Sequence, residues 1–255
     1  AMLAAGVDAV TITTPPQTRR DLVLEAIAAG LHVIADKPFA PDAASARSLG
    51  AAAEAKGVTL GVYQNRRYDS DMQTLAKLVR DGRLGKIWRV HSRMDQDGAH
   101  TLEAGPTGGL LRDLGSHVVD QMIWLLGPVA SVDAQMDFVE LAQGRTDAGF
   151  TIRLTHESGA TSHVEALKLN HVDSREFRAY SDLGFYGSST TDVQAQAIFA
   201  GKRPTDDLAA AITAEQPSLA DIAMIEATAF IASGEAGGKA ISVIAANLDT
   251  PDFEL

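Results

Sequence analysis

A lysine, an aspartate and a histidine carry the chemistry this sequence offers most plainly. Lys37 stands in "LHVIADKPFAPD", residues 31–42, where an apolar run ends in an acid, a lysine and a proline. A buried strand that finishes this way presents Asp36 and Lys37 at its carboxyl end, with the backbone fixed at Pro38. In open α/β sheets, ligands bind at the carboxyl ends of the strands. An ammonium held there can grip a substrate hydroxyl or carbonyl oxygen and stabilise charge developing on it. The plainer alternative is a solvated lysine in a turn. Asp113 and His117 lie in "GGLLRDLGSHVVDQMIWLLG". Leu111, Leu114, Val118, Met122 and Leu125 supply an apolar stripe that predicts a helix over 110–126, despite Gly115. Four residues apart, Asp113 and His117 are neighbours on one helical face. Three readings stay open: a surface ion pair, two metal ligands, or a general acid/base oriented by its carboxylate. The metal reading lacks a third ligand at an informative spacing, with His91 and His100 the nearby candidates.

The elements that must hold these residues follow from the apolar pattern. "DAVTITTPP" reads as a short buried strand ending in a turn. The helix "TRRDLVLEAIAAG" follows, with Leu22, Val23, Ala26 and Ile27 on one face and Gly30 closing it. Strand "LHVIA", a helix after Pro41 that stops at Gly57, and strand "VTLGVY" complete the run. Apolar strands alternating with helices predict a parallel sheet covered on both faces. Right-handed crossovers then line up the turns "TPP", "DKP" and "YQNRR" along one edge. Beyond a helix at 69–81 the character changes. Strand-like segments with turn residues between them run from 86 to 186 and suit an antiparallel sheet. A helix over 219–233 and a strand near Ile241 close the chain. The expected division is a partial Rossmann domain over 1–67 and an α+β domain over 68–255.

Composition narrows the function classes. The 255 residues carry a formal net charge of −11, which disfavours a sequence-independent grip on nucleic acid. The absence of cysteine excludes disulfides, thiolate nucleophiles and thiolate metal sites. With no apolar run of membrane-spanning length, a cytoplasmic protein without membrane contact is expected.

Five segments, "DAVTITTPP", "AGLHVIADKP", "GVYQNRRY", "DGRLGKIWRV" and "GGLLRDLGSHVVDQMIWLLG", resemble in order and separation the Gfo/Idh/MocA oxidoreductase family. The resemblance runs from Asp8 past Gly127 and more loosely to the end. It implies a Rossmann sheet that binds NAD or NADP, followed by a large, open, mainly antiparallel sheet that supplies substrate contacts and a homodimer or homotetramer interface. It also implies hydride transfer between nicotinamide and a sugar or polyol. By that analogy His117 takes the substrate hydroxyl proton, Lys37 holds the same oxygen and Asp113 orients or assists the pair. Thr14, Pro15, Pro16, Asp36, Pro38, Gln64, Asn65 and Arg66 are the expected cofactor neighbours, and no metal is implied. Asp120 completes the helix pattern, as either a site residue or a helix-face acid with a local partner. His163 and His171 read as sheet residues rather than substrate contacts.

Two departures stand out. Arg19 occupies a place where the family often has histidine, and no G-x-G-x-x-G occurs in the chain. "AML" reads as a leftover Ala1 before an initiator Met2, so the glycine turn and helix that bind pyrophosphate are expected to be missing. Such contacts are worth about 1.5–3 kcal/mol each. Losing two or three is therefore worth on the order of two to six decades in affinity. Weak or absent cofactor binding is expected, along with an exposed central edge at "AVTIT" that a partner chain or rearranged segment covers. The competing expectation is a silent remnant that serves as an oligomerising or sugar-binding module.

Overall fold

The computed structural model describes residues 6–105, 108–189 and 200–201. The helix expected over 219–233 and the strand near Ile241 lie outside them. The first unit alternates β1 (Ala9–Ile12), α1 (Pro16–Ala28), β2 (His32–Asp36), α2 (Ala43–Lys56) and β3 (Leu60–Tyr63). Local signals set the helix ends. Pro16 opens α1 at a position where its missing N–H costs nothing. The Asp42 carboxylate accepts from Ser45 N–H to cap α2, and Gly57 closes it in the left-handed region.

The strands form a parallel sheet in the order β1-β2-β3, which brings the turns after Ile12, Asp36 and Tyr63 to one edge. Val10, Ile12, Val33 and Ala35 point to one face and pack with Val23 and Ile27 of α1 and Leu49 of α2. That arrangement corrects the expectation of a sheet covered on both faces. With strands added in one direction and both crossovers right-handed, α1 and α2 land side by side on the same face. The opposite face carries exposed Thr11, His32 and Tyr63. β1 is an edge strand, hydrogen-bonded to β2 alone among the described residues.

The second unit begins with a 3-10 turn (Asn65–Tyr68) and α3 (Ser70–Arg80). Then come β4 (Ile87–Asp95), α4 (Ser116–Leu126), β5 (Val129–Leu141), β6 (Gly144–His156), β7 (Thr161–Leu167), β8 (Ser174–Ser181) and β9 (Phe185–Ser188). The six strands form one sheet in the order β5-β6-β7-β4-β8-β9. β4 runs parallel to β7 and antiparallel to β8, and the remaining pairs are antiparallel. Period-two alternation sends Phe150, Ile152 and Leu154 of β6 inward, and Thr151 and Arg153 outward. Val118 and Met122 of α4 and Met72 and Leu75 of α3 complete that core. Fully burying each such side chain is worth about 1.5–3 kcal/mol. Among the described residues no helix is long and apolar enough to cross a membrane.

Candidate active site

The site forms where the carboxyl edge of the small sheet meets the start of α4. Helix formation there is not uniform. Leu111–Gly115 make a π-helical turn that runs into α4 at Ser116. Asp147 of β6 anchors this turn by accepting the Leu111 N–H at 2.6 Å. Gly115 leaves room for its neighbours, since a Cβ there would lie 2.6 Å from Leu111 Cδ1, which would have to turn aside, and 3.4 Å from Phe150. The helix expected from the apolar stripe is therefore present, with its first turn widened where Asp113 sits.

Lys37 and Asp113 meet across the two units. Lys37 Nζ donates to Asp113 Oδ1 at 2.7 Å and to the Asp113 carbonyl at 3.2 Å. A third group, not singled out from the sequence, completes the cluster: Lys168 Nζ donates to Asp113 Oδ2 at 3.1 Å. Burial alone would raise the Asp113 pKa, yet the two ammonium groups outweigh it and hold the carboxyl below its usual range. Both oxygens of Asp113 thus face ammonium groups rather than the imidazole of His117. These residues line a cleft of about 210 Å3 together with Pro16, Pro38 and Arg112.

His117 is buried and lies outside the lining of that cleft. Burial, then the charges of Lys37 and Arg66, push its pKa down to about 3, against the raising influence of Asp113. It is a neutral imidazole at physiological pH, the form that can accept a proton. Its Nδ1 is buried without a protein partner, as are Thr14 Oγ1, Gln64 Oε1 and Arg66 Nε. These four atoms come from the turns after β1 and β3 and from α4. Buried polar groups without partners cost free energy, so these atoms are available to a polar ligand. Arg19 Nε, His91 Nε2, Ser92 Oγ and Gln121 Oε1 are buried and unpartnered as well.

The other residues expected beside a cofactor are placed by a set of short contacts. Asp36 Oδ1 accepts from the Lys37 N–H at 2.8 Å, which shapes the turn presenting the lysine. Arg19 is buried and donates to the Thr14 carbonyl at 2.6 Å and to the Pro38 carbonyl, stapling the loop after β1 to the loop after β2. Pro15 and Pro16 start α1 between these anchor points. Asn65 begins the 3-10 turn. Arg66 pairs with Asp69 at 3.2 Å, and its carbonyl accepts from Gln121 of α4. Asp120 takes the structural role, gripping Arg67 through two bonds of 2.7 Å each.

The other histidines are elsewhere. His91 of β4 and His163 of β7 stack at 4.9 Å on the outer sheet face. His100 is in the 3-10 turn Ala99–Thr101. His171 is corrected: it lies in the exposed connection between β7 and β8, 3.1 Å from Asp97, and is not a strand residue. Its φ of 53° is incompatible with an extended strand. Among the described residues no cluster of His, Cys, Asp and Glu has the arrangement of a metal site.

Comparison with known proteins gives the same frame. Residues 1–64 match an oxidoreductase family profile described as an NAD-binding Rossmann fold, and residues 72–186 match the GFO/IDH/MocA C-terminal domain. The scyllo-inositol 2-dehydrogenase (NADP(+)) IolW of Bacillus subtilis is 28% identical over 79% of this chain and 57% of its own length. The D-apiose dehydrogenase of Paraburkholderia graminis is 38% identical over 65% of this chain and 45% of its own length. Among solved structures, the putative oxidoreductase yvaA of Bacillus subtilis superimposes with a TM-score of 0.70 at 28% identity, covering 80% of this chain and 59% of that one. The chain therefore spans roughly half the length of these relatives, 45% to 59%. With both profiles matched in sequence order on the two units described above, the chain belongs to the Gfo/Idh/MocA oxidoreductase family.

Proposed function

We propose that this chain carries the substrate half of a dehydrogenase site that oxidises an alcohol of a sugar or polyol, or reduces the matching ketone. The observation that carries this reading is the 2.7 Å Lys37–Asp113 contact, made between the edge of the Rossmann sheet and the start of α4. When bound, nicotinamide supplies the hydride acceptor or donor at ring C4. Lys37 holds the reacting oxygen in the cleft and offsets its negative charge. His117 lies outside the cleft lining but close enough to Lys37 to feel its charge. In this reading a substrate that reaches past Lys37 gives its hydroxyl proton to that neutral imidazole during oxidation and recovers it during reduction. Asp113 keeps the Lys37 ammonium directed at the cleft. The names of the inositol and apiose dehydrogenases support a polyhydroxylated substrate.

For these 255 residues alone, the reading includes weak or undetectable NAD(P) binding, since the chain holds no G-x-G-x-x-G to cradle pyrophosphate. Calorimetric titration with NADH and NADPH tests this, and micromolar binding would overturn it. Turnover is tested with myo-inositol, scyllo-inositol and D-apiose against NAD+ and NADP+. Lys37→Met and His117→Gln are each expected to lower kcat/KM by about 10²–10⁴-fold. If cofactor binds and no polyol or sugar is turned over, the second reading gains, an oligomerising or sugar-binding module. A homodimer or homotetramer is expected in sedimentation velocity, and a monomer at high concentration would refute that part.

A further inference from the structure

Lys168 is a deeply buried charge at the edge of the cleft. It follows β7 directly, and its backbone N–H is fixed to the Ala148 carbonyl of β6 at 3.0 Å. Its side chain is only 4% exposed, against 22% for Lys37 and 45% for Asp113. Removing an ammonium from water is costly unless it is paired and its donors are used. Two partners meet that demand. Asp113 Oδ2 accepts at 3.1 Å and Thr101 Oγ1 accepts at 2.9 Å. The Thr101 hydroxyl gives its own proton to the Gly98 carbonyl at 2.7 Å, which leaves its lone pairs facing Lys168.

The arrangement puts one half-exposed carboxylate between two ammonium groups. With Oδ2 held by the buried Lys168, only Oδ1 turns toward Lys37. Asp113 therefore cannot rotate to give Lys37 both oxygens, and it cannot swing freely into the cleft. The pair is also not neutral: two ammonium groups share one carboxylate, so positive charge remains at the cleft for an oxygen that becomes anionic. Thr101 belongs to the loop after β4, so the same lysine ties that loop to Asp113.

We propose that Lys168 is a positioning residue that acts through Asp113 to set the place and the residual charge of the Lys37 ammonium. Part of this rests on the dehydrogenase reading, because positioning matters only if Lys37 meets a reacting oxygen. The first test needs no turnover. The side-chain carboxyl of Asp113 is titrated by 13C NMR in the chain and in Lys168→Met and Lys168→Arg, with thermal unfolding recorded alongside. In Lys168→Met the Asp113 midpoint is expected to rise by about half a unit or more, and in Lys168→Arg to return close to its starting value. Crystals of Lys168→Met are expected to show the Asp113 carboxylate rotated from its present orientation, with Oδ2 as well as Oδ1 turned toward Lys37 Nζ within about 3.5 Å. A folded Lys168→Met with an unshifted midpoint and an unrotated Asp113 carboxylate would overturn the proposal. Should Lys168→Met fail to fold, Thr101→Val decides by the same two readouts. It removes the acceptor that steadies the ammonium, and an unmoved Asp113 there would count equally against the role. Where turnover is measurable, Lys168→Met is expected to lower kcat about tenfold, to leave the cofactor KM within about twofold, and to be rescued by Lys168→Arg. Absence of turnover in the unsubstituted chain is what weak cofactor binding gives, and the titration and the Asp113 geometry then judge Lys168 by themselves.

Discussion

A neutral imidazole packed inside the site has a consequence for stability as well as for catalysis. Unfolded, His117 would bind a proton near its ordinary value of about 6.5, whereas in the fold burial and the Lys37 and Arg66 charges hold it unprotonated down to about 3. Between those values the unfolded state binds more protons than the folded one, so stability rises with pH across that window and falls on acidification. The slope from one such group is at most about 1.4 kcal/mol per pH unit. Urea unfolding at pH 7 and pH 5 is expected to show a smaller loss for His117→Gln than for the parent chain; equal losses would mean that His117 is protonated in the fold. His117, Lys37 and Asp113 could be singled out in the sequence by the resemblance of an ordered set of short motifs. The spacing of Asp113 and His117 did not show, however, that Asp113 faces two ammonium groups. Lys168 could not be singled out. "VEALKLN" reads as ordinary alternation toward a strand end, and only the register of β7 on β6 carries that lysine to Asp113, 55 residues away in sequence. Arg19 was visible as a departure from the family pattern, but its task, joining the Thr14 and Pro38 carbonyls, depends on the spacing of two loops in space.

The π-helical turn before α4 is the element on which the site geometry depends. Two residues ahead of it stands Gly109, whose φ of 97° favours glycine and whose Cβ, if added, would lie 2.0 Å from Asp147 Oδ1. The same Asp147 carboxylate receives the Leu111 N–H, so a side chain at 109 would displace the anchor of the turn that carries Asp113. Gly109→Ala is expected to destabilise the chain by about 2 kcal/mol or more, combining backbone strain with a clash against a fixed acceptor. Asp147→Asn keeps the shape and one acceptor oxygen and is expected to cost about 1 kcal/mol. Urea midpoints separate the two, and a Gly109→Ala chain as stable as its parent would show that the turn tolerates another path. The apolar stripe foretold a helix here but not its widening, because hydrophobic spacing over a single turn barely distinguishes π from α. Coverage of the parallel sheet was likewise beyond the strand pattern. Apolar strands fix that a face is buried; which face the helices cover depends on the direction in which successive strands are added.

The described residues form two cores of unequal strength joined by polar contacts. The first core rests on ten buried residues, three of them alanines, under a sheet whose far face carries exposed Thr11 and His32. The second gathers eighteen among the described residues, including Phe150, Phe177, Met72 and Met122, over a six-stranded sheet. Local opening free energies follow buried apolar contact and the protection of backbone hydrogen bonds, so the two units should open at different cost. Amides of β1–β3 are expected to exchange with deuterium at least tenfold faster than those of β4, β6 and β7, about 1.4 kcal/mol of difference or more. Lys37–Asp113 and the Gln121–Arg66 contact hold the edge of the first sheet to α4. Cutting one of them should loosen the weaker unit while leaving the stronger one unchanged. Asp113→Asn keeps the shape and the Lys168 neighbour but removes the carboxylate charge. It is expected to speed exchange in β2 and the turn after it by several-fold, with β6 and β7 unmoved. Hydrogen-exchange mass spectrometry of the two chains reads both effects. Uniform acceleration through both sheets would show instead that the two cores unfold as one cooperative body, with the Lys37 contact supporting the whole rather than the joint.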